Sequence, residues 1–214
     1  MIGAVTRLHI DGARRWGGMR RVLSLAALAT LSLAGPIRAE EQVLRLDAGL
    51  TKVDFTLDAT LHAADGTLAC TSGEVRFDLQ TGAASGRLVF DAAKTQTGHE
   101  GRDRKMHEEV LESARFPEIV FTPAKLEKRV DDMGNGDVRL TGTLAIHGAD
   151  HPFTIAARVR RNGDKVSATG SFDIPYVAWG MRDPSVFVLR VAKVVKVRFS
   201  TVGTLTAAAA ADAP

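Results

Sequence analysis

Apolar and polar residues alternate along most of the chain after Val43, and this period of two limits what the chain can build. Val53, Phe55 and Leu57 project one way, with Asp54, Thr56 and Asp58 between them. Val75, Phe77 and Leu79 repeat the pattern, with Arg76 and Asp78 turned out. Successive side chains of a strand point to opposite faces, so such runs make a sheet with one dry and one wet face. Further strands are predicted at 87–90, 119–125, 137–147, 153–161, 165–174 and 192–202. Asn162-Gly163 sits between two alternating runs and is a strong hairpin signal; Asp65-Gly66, between Leu61 and Leu68, reads the same way. Residues 131–137 form a looser polar turn. Strands joined by short turns pair antiparallel. The absence of a βαβ rhythm argues against doubly wound and TIM-barrel folds. About eight antiparallel strands with one apolar face have two outlets, a sandwich or a closed barrel, and the length of strands such as 137–147 favours the barrel. Ala157 and Ala168 fall on or near the dry face. Small residues among large ones leave either a cavity or a tapered packed core.

The front of the chain has a different character. Met19, Arg20 and Arg21 precede the apolar run VLSLAALATLSLAG (22–35), followed by Pro36, Ile37, Arg38 and Ala39. A basic head, a short greasy middle and a small-residue exit are the layout of a secretory signal peptide. Residues 1–39 are therefore predicted to be an N-terminal extension plus signal peptide, with translation expected to start at Met19. The expected destination is the periplasm or the medium. Arg20-Arg21 leaves both the general and the twin-arginine export routes open. The apolar run is short for a bilayer span and no later run approaches that length, so no stable membrane span is expected. The remaining boundaries predicted are a barrel domain at 40–206 and a disordered Ala-rich tail at 207–214.

Removing the front reverses the charge balance. The chain has 28 Lys+Arg against 25 Asp+Glu, and 1–39 holds six of the basic residues and one of the acidic ones. The body is left with 22 basic and 24 acidic side chains, so the whole-chain positive charge gives no argument for nucleic acid as a partner. Cys70 is the single cysteine, expected to be buried and inert. The body must then fold without an internal disulfide.

One block, 97–125, breaks the β pattern: TGHEGRDRKMHEEVLESARFPEIVFTPAK. Met106 and Val110 lie four apart with Leu111 adjacent, while Arg104, Lys105, Glu108 and Glu109 can face water. That spacing predicts one short amphipathic helix over 102–112, seated on the mouth or flank of the sheet. Pro117 holds Phe116 extended, and Ile119 and Phe121 begin the next strand. Asp103 suits a role accepting N–H groups at the helix start, and Arg102 one of pairing with a carboxylate across the loop or with a polar ligand head. His99 and His107 lie near Glu100, Asp103 and Glu108, and His147 and His151 flank a short turn, but neither spacing matches a compact metal motif. No serine or cysteine sits in a nucleophile elbow. No metal site, catalytic residue or cofactor is expected.

In this block the chain resembles the YceI-like family of secreted lipid- or polyisoprenoid-binding barrels. The resemblance is carried by Thr97-Gly98, Arg102-Asp103, Met106, Phe116-Pro117 and Ile119-Val120-Phe121. It extends through Leu46-Asp47, Val53-Asp54-Phe55, Thr141-Gly142-Thr143-Leu144, His147-Gly148 and His151-Pro152-Phe153, so that it covers about 43–203. Two departures mark a divergent branch. Leu61-His62 stands later than the histidine the family places after its first strands, and 176–184 (YVAWGMRDP) replaces a family segment near the end.

The resemblance implies an all-β fold, an eight-stranded antiparallel lipocalin-like barrel with one short helix between strands. It implies an elongated apolar cavity for a polyisoprenoid, an isoprenoid quinone or a fatty-acid derivative. The dry face then supplies the lining: Val53, Phe55, Leu57, Val75, Phe77, Leu79, Leu88, Phe90, Ile119 and Phe121, with Met106 and Val110 closing it from the helix. Arg102 and Trp179 are candidate contacts at the mouth or with a head group, Trp179 being either a lid or a plug. Aromatic residues make up 6% of the chain, which suits a flexible aliphatic chain better than a stacked planar cofactor. The expected partner is a lipid-like small molecule, bound by a monomer or homodimer. Two alternatives stay open: an envelope structural or stress-related protein with a packed core and a protein partner, and a metal-dependent hydrolase.

Overall fold

The computed structural model describes residues 41–187 and 190–208; the predicted signal peptide and most of the predicted tail lie outside them. Nine strand segments follow one another: β1 (Glu41–Leu46), β2 (Lys52–Leu57), β3 (Ala64–Asp78), β4 (Ala84–Gln96), β5 (Glu118–Val130), β6 (Gly136–Ile146), β7 (Ala149–Asn162), β8 (Lys165–Ile174) and β9 (Val195–Ala207). A helix, α1 (Glu100–Lys105), stands between β4 and β5.

The nine segments make eight staves. β1 pairs with the end of β3 (Arg45 opposite Glu74) and β2 with its beginning (Phe55 opposite Gly66). Both also pair with β9, Leu44 opposite Leu205 and Phe55 opposite Val197. They are halves of one stave, interrupted by a 3₁₀ turn at Ala48–Leu50 that the Asp47 carboxylate caps. From β3 onward each strand pairs antiparallel with the next, and β9 returns to β1 and β2, closing the barrel. Closure leaves no sheet edge for another chain to extend.

The strands run longer than the sequence pattern predicts, because bulges carry them through residues that break alternation. β5 continues past Pro123, which lacks an N–H for the ladder, by shifting register between Pro123 and Lys125. β3 shifts twice, between Thr67 and Ala69 and between Cys70 and Ser72. β9 extends through Ala207, opposite Gln42, one residue into the expected tail.

Two local expectations are corrected. Asp65-Gly66 is not a hairpin turn; it lies inside β3, paired with Thr56 and Phe55. Gly66 is there because the Phe55 ring crosses it: a Cβ would stand 2.2 Å from Phe55 Cζ. The predicted helix over 102–112 begins earlier and changes type. After α1, Met106–Val110 form a single π turn, with Leu111 N–H donating to Met106 C=O at 2.8 Å. The wider turn lets Met106, Val110 and Leu111 all reach the barrel interior. The hairpin at Asn162–Lys165 and the loop 131–135 are as expected, the latter held by Asp131 accepting from the Met133 and Asn135 N–H groups.

The barrel has two unlike ends. At the hairpin end are the tight connections 79–83, 131–135 and 163–164. At the helix end lie α1, the 58–63 loop and the long connection from Ile174 to Val195. That connection folds inward first: Met181 N–H donates to Tyr176 C=O at 3.0 Å, and both side chains are buried.

Candidate binding cavity

Alternation sends every second side chain of each stave inward, and the inward set does not meet at the centre. A continuous cavity of about 770 Å³ runs between the two ends. It falls within the range of ligand pockets, about 300–1,000 Å³. Its wall is almost wholly apolar. All twelve residues that the dry-face pattern and the helix spacing single out stand on it: Val53, Phe55, Leu57, Val75, Phe77, Leu79, Leu88, Phe90, Met106, Val110, Ile119 and Phe121. Phe121 is the fully buried member of this wall, whereas Phe55, Phe77 and Phe90 are partly buried.

The opposite half of the wall comes from β6 to β9, with Leu140, Phe153, Ile155, Ala168, Phe172 and Phe199 among its members. The sequence pattern marks these strands, so the same alternation identifies their inward residues. Tyr176 and Met181 bring the end connection onto the wall, which no periodicity announces. The two alanines decide between a tapered core and a void: Ala157 and Ala168 both face open space.

Arg102 and Trp179 part company. Arg102 is on the wall at the helix end. Its Nε donates to Thr97 Oγ1 at 2.8 Å and one Nη to Thr97 C=O at 3.2 Å. Thr97 in turn donates its N–H, at 2.8 Å, and its hydroxyl to the Asp103 carboxylate. The first helical turn is thus locked to the strand end by Asp103, with donors from Thr97 rather than from the helix; His99, at the N-cap, makes no side-chain cap bond. Burial raises the Asp103 pKa, but the Thr97 hydroxyl and N–H, with the charges of His107 and Arg102, outweigh it and hold the carboxyl below its ordinary range. Trp179 is not on the wall. It stacks on His151, ring centroids 4.1 Å apart and 6° from parallel, and meets Phe153 edge-on. Its place is that of a plug packed on the barrel end.

Two of the histidines make structural contacts. His107 Nδ1 lies 2.9 Å from Ser113 Oγ, and His147 Nε2 lies 3.3 Å from the Glu112 carboxylate. Among the described residues no three His, Cys, Asp or Glu side chains converge on a point where a metal ion could sit. Cys70 is half-buried rather than buried and lies off the cavity wall. Desolvation pushes its thiol pKa up, which disfavours the reactive thiolate. No helix among the described residues is long and apolar enough to cross a membrane.

A family model described as "YceI-like domain" matches residues 44–203. A UPF0312 protein of Vibrio campbellii is 32% identical over 143 residues, 65% of this chain and 74% of that protein. Protein YceI of Escherichia coli is 28% identical over 101 residues, 46% of this chain and half of that one. Two crystal structures share the fold, each with a TM-score of 0.60. Burkholderia cenocepacia BcnA is 21% identical, over 74% of this chain and 99% of that one. A polyisoprenoid binding domain from Saccharophagus degradans, implicated in plant cell wall breakdown, is 16% identical, over 76% and 98%.

Proposed function

Because the chain belongs to the YceI-like family, we propose that it is an exported carrier that binds one apolar chain, of the polyisoprenoid, isoprenoid-quinone or fatty-acid class. The observation that carries this is the cavity: one apolar space running between the barrel ends, walled by the inward residues of the staves. Each methylene moved there from water contributes about 0.8 kcal/mol, so a long chain binds through its length without any single decisive polar contact. The polyisoprenoid-binding name of the Saccharophagus degradans domain, which shares the fold, supports the same class of cargo. The signal-peptide layout of 19–39 supports export to the periplasm or the medium. An unfilled interior speaks against the alternative with a packed core. The wall chemistry supports binding rather than catalysis, since the single cysteine is off the wall, as are His99 and His107.

The test is to purify the protein from its native source, extract it with organic solvent and identify bound small molecules by mass spectrometry. The expected result is a long-chain apolar compound in near-stoichiometric amount. Repeated absence of any such compound, with an interior that also refuses added hydrocarbon probes, overturns the proposal.

A further inference from the structure

We propose that the cavity is polarised, and that Arg102, Lys105 and Thr95 hold an anionic, oxygen-bearing head group at the helix end while the apolar tail lies in the barrel. This rests on the carrier function above and adds the chemistry of the ligand's other end.

The two ends of the wall carry different charges. At the hairpin end Lys128 and Arg161 stand with Asp131 and Asp132, two of each sign. Asp131 accepts there from the Met133 and Asn135 N–H groups, and its charge and that of Asp132 offset those of Lys128 and Arg161. At the helix end the charged wall residues are Arg102 and Lys105, His62 is also on the wall, and among the described residues no carboxylate at this end is. Off the wall, Asp103 is engaged with Thr97 and Glu109 with Arg182 at 3.2 Å.

Both cations have capacity to spare. Arg102 gives two bonds to Thr97, which fixes the guanidinium in place and leaves part of its five-donor fork unspent. Lys105 Nζ reaches only the Pro184 carbonyl, at 3.4 Å. Thr95 supplies an independent sign. It is on the wall, 5% exposed, and its hydroxyl has no hydrogen-bond partner. An unpaired buried hydroxyl is destabilising, and a ligand oxygen would supply the partner it lacks. Thr95 and Thr97 are two residues apart at the end of β4, so the unpaired hydroxyl and the Arg102 clamp belong to one locality. A buried anion needs opposite charge together with hydrogen-bond donors. This end of the cavity offers both, whereas at the other end Asp131 and Asp132 stand beside the two cations and would repel an anion.

The test measures displacement of the neutral probe N-phenyl-1-naphthylamine from the full chain by three compounds sharing one tail: hexadecanoate, hexadecyl phosphate and hexadecan-1-ol. At least one anion is expected to displace the probe at about tenfold lower concentration than the alcohol, the worth of a charge-assisted contact. The order of the two anions tells a carboxylate site from a phosphate site. Lys105→Gln and Thr95→Val are each expected to shrink that advantage, and Thr95→Val is expected to melt no lower than the parent. Arg102→Gln is expected to shrink the advantage most. Should it fail to fold, the other two variants, which leave the Thr97 clamp intact, decide the matter. Equal displacement by all three compounds overturns the polarised cavity and leaves the carrier standing. Failure of the probe to bind at all overturns the carrier, and this inference with it.

Discussion

The ring of Phe116 occupies the space in which Gly148 would carry a side chain: a Cβ there would lie 2.4 Å from Phe116 Cε1. This contact ties the segment after the π turn to the turn between β6 and β7. His147, just before the glycine, has φ 52°, and Glu112, just before the segment, has φ 46°. Two non-glycine residues thus hold left-handed backbone on either side of one packing contact, and across it His147 Nε2 lies 3.3 Å from the Glu112 carboxylate. The barrel end and the helix that leads into it are held by the same few atoms.

Gly148→Ala is expected to be costly for two reasons that a neighbouring site separates. At φ +74° any side chain costs about 1–2 kcal/mol, and overlap with Phe116 adds about 1–3 kcal/mol. Gly163 has φ +63° and nothing within 4 Å of its would-be Cβ. Gly163→Ala should therefore lose the backbone part alone. Urea melts of the two variants read the difference, and equal losses would remove Phe116 from the account.

The Asp103 lock predicts a pH dependence of defined sign. Its carboxyl is held below the ordinary range in the folded protein, so its contribution is present above the unfolded value near pH 4 and is lost as pH falls through the depressed one. Asp103→Asn is expected to lower stability at pH 7 by about 1–2 kcal/mol, the scale of a charge-assisted hydrogen bond reduced to a neutral one. As pH falls through the depressed value, parent and variant should converge. Denaturant melts at pH 7, 4 and 2.5 check this, and a gap that widens as pH falls would contradict it.

These locks also show where the sequence is legible and where it is not. The period-two pattern identifies Val53, Phe55, Leu57 and their counterparts as inward residues because the pleat leaves a strand no other arrangement. It does not distinguish a wall from a solid core, since Phe121 and Phe90 look alike in the sequence and only the closed barrel leaves one fully buried and the other partly so. Asp65-Gly66 reads as a turn because dipeptide preference is local, whereas the need for glycine comes from Phe55 on the neighbouring strand. Trp179 is conspicuous in sequence at a loop tip, yet its partner His151 lies 28 positions away and comes to it only through the barrel. Thr95 carries no signal at all, because an unpartnered hydroxyl is defined by what fails to surround it.

Ala168→Phe tests whether the interior is open in solution. In a packed core the added ring would cost about 1–3 kcal/mol through overpacking. Ala168 faces the cavity, so the ring has room and the variant is expected to keep the parent's melting temperature within a few degrees. It should also take up much less N-phenyl-1-naphthylamine, measured by fluorescence. A strongly destabilised variant would indicate a filled interior, and unchanged probe uptake would place the probe elsewhere.

Tyr176 allows the end connection to be followed on its own, because it is the chain's single tyrosine. Its hydroxyl donates to Ala192 C=O at 3.0 Å, and the side chain is 2% exposed. Burial, and then the negative charge of Asp183, push its pKa up to about 12. A raised phenol pKa favours the neutral form in the fold, so the stability it reflects is complete below the unfolded value near pH 10 and is lost as pH rises through 12. Absorbance at 295 nm titrated from pH 8 to 13 is expected to show one transition with its midpoint near 12, moving toward 10 when urea unfolds the chain. Asp183→Asn should move the folded midpoint only part of the way, since burial is the larger cause. A midpoint near 10 in the folded protein would mean that Tyr176 is in contact with water and that the 176–181 turn does not close this end of the barrel.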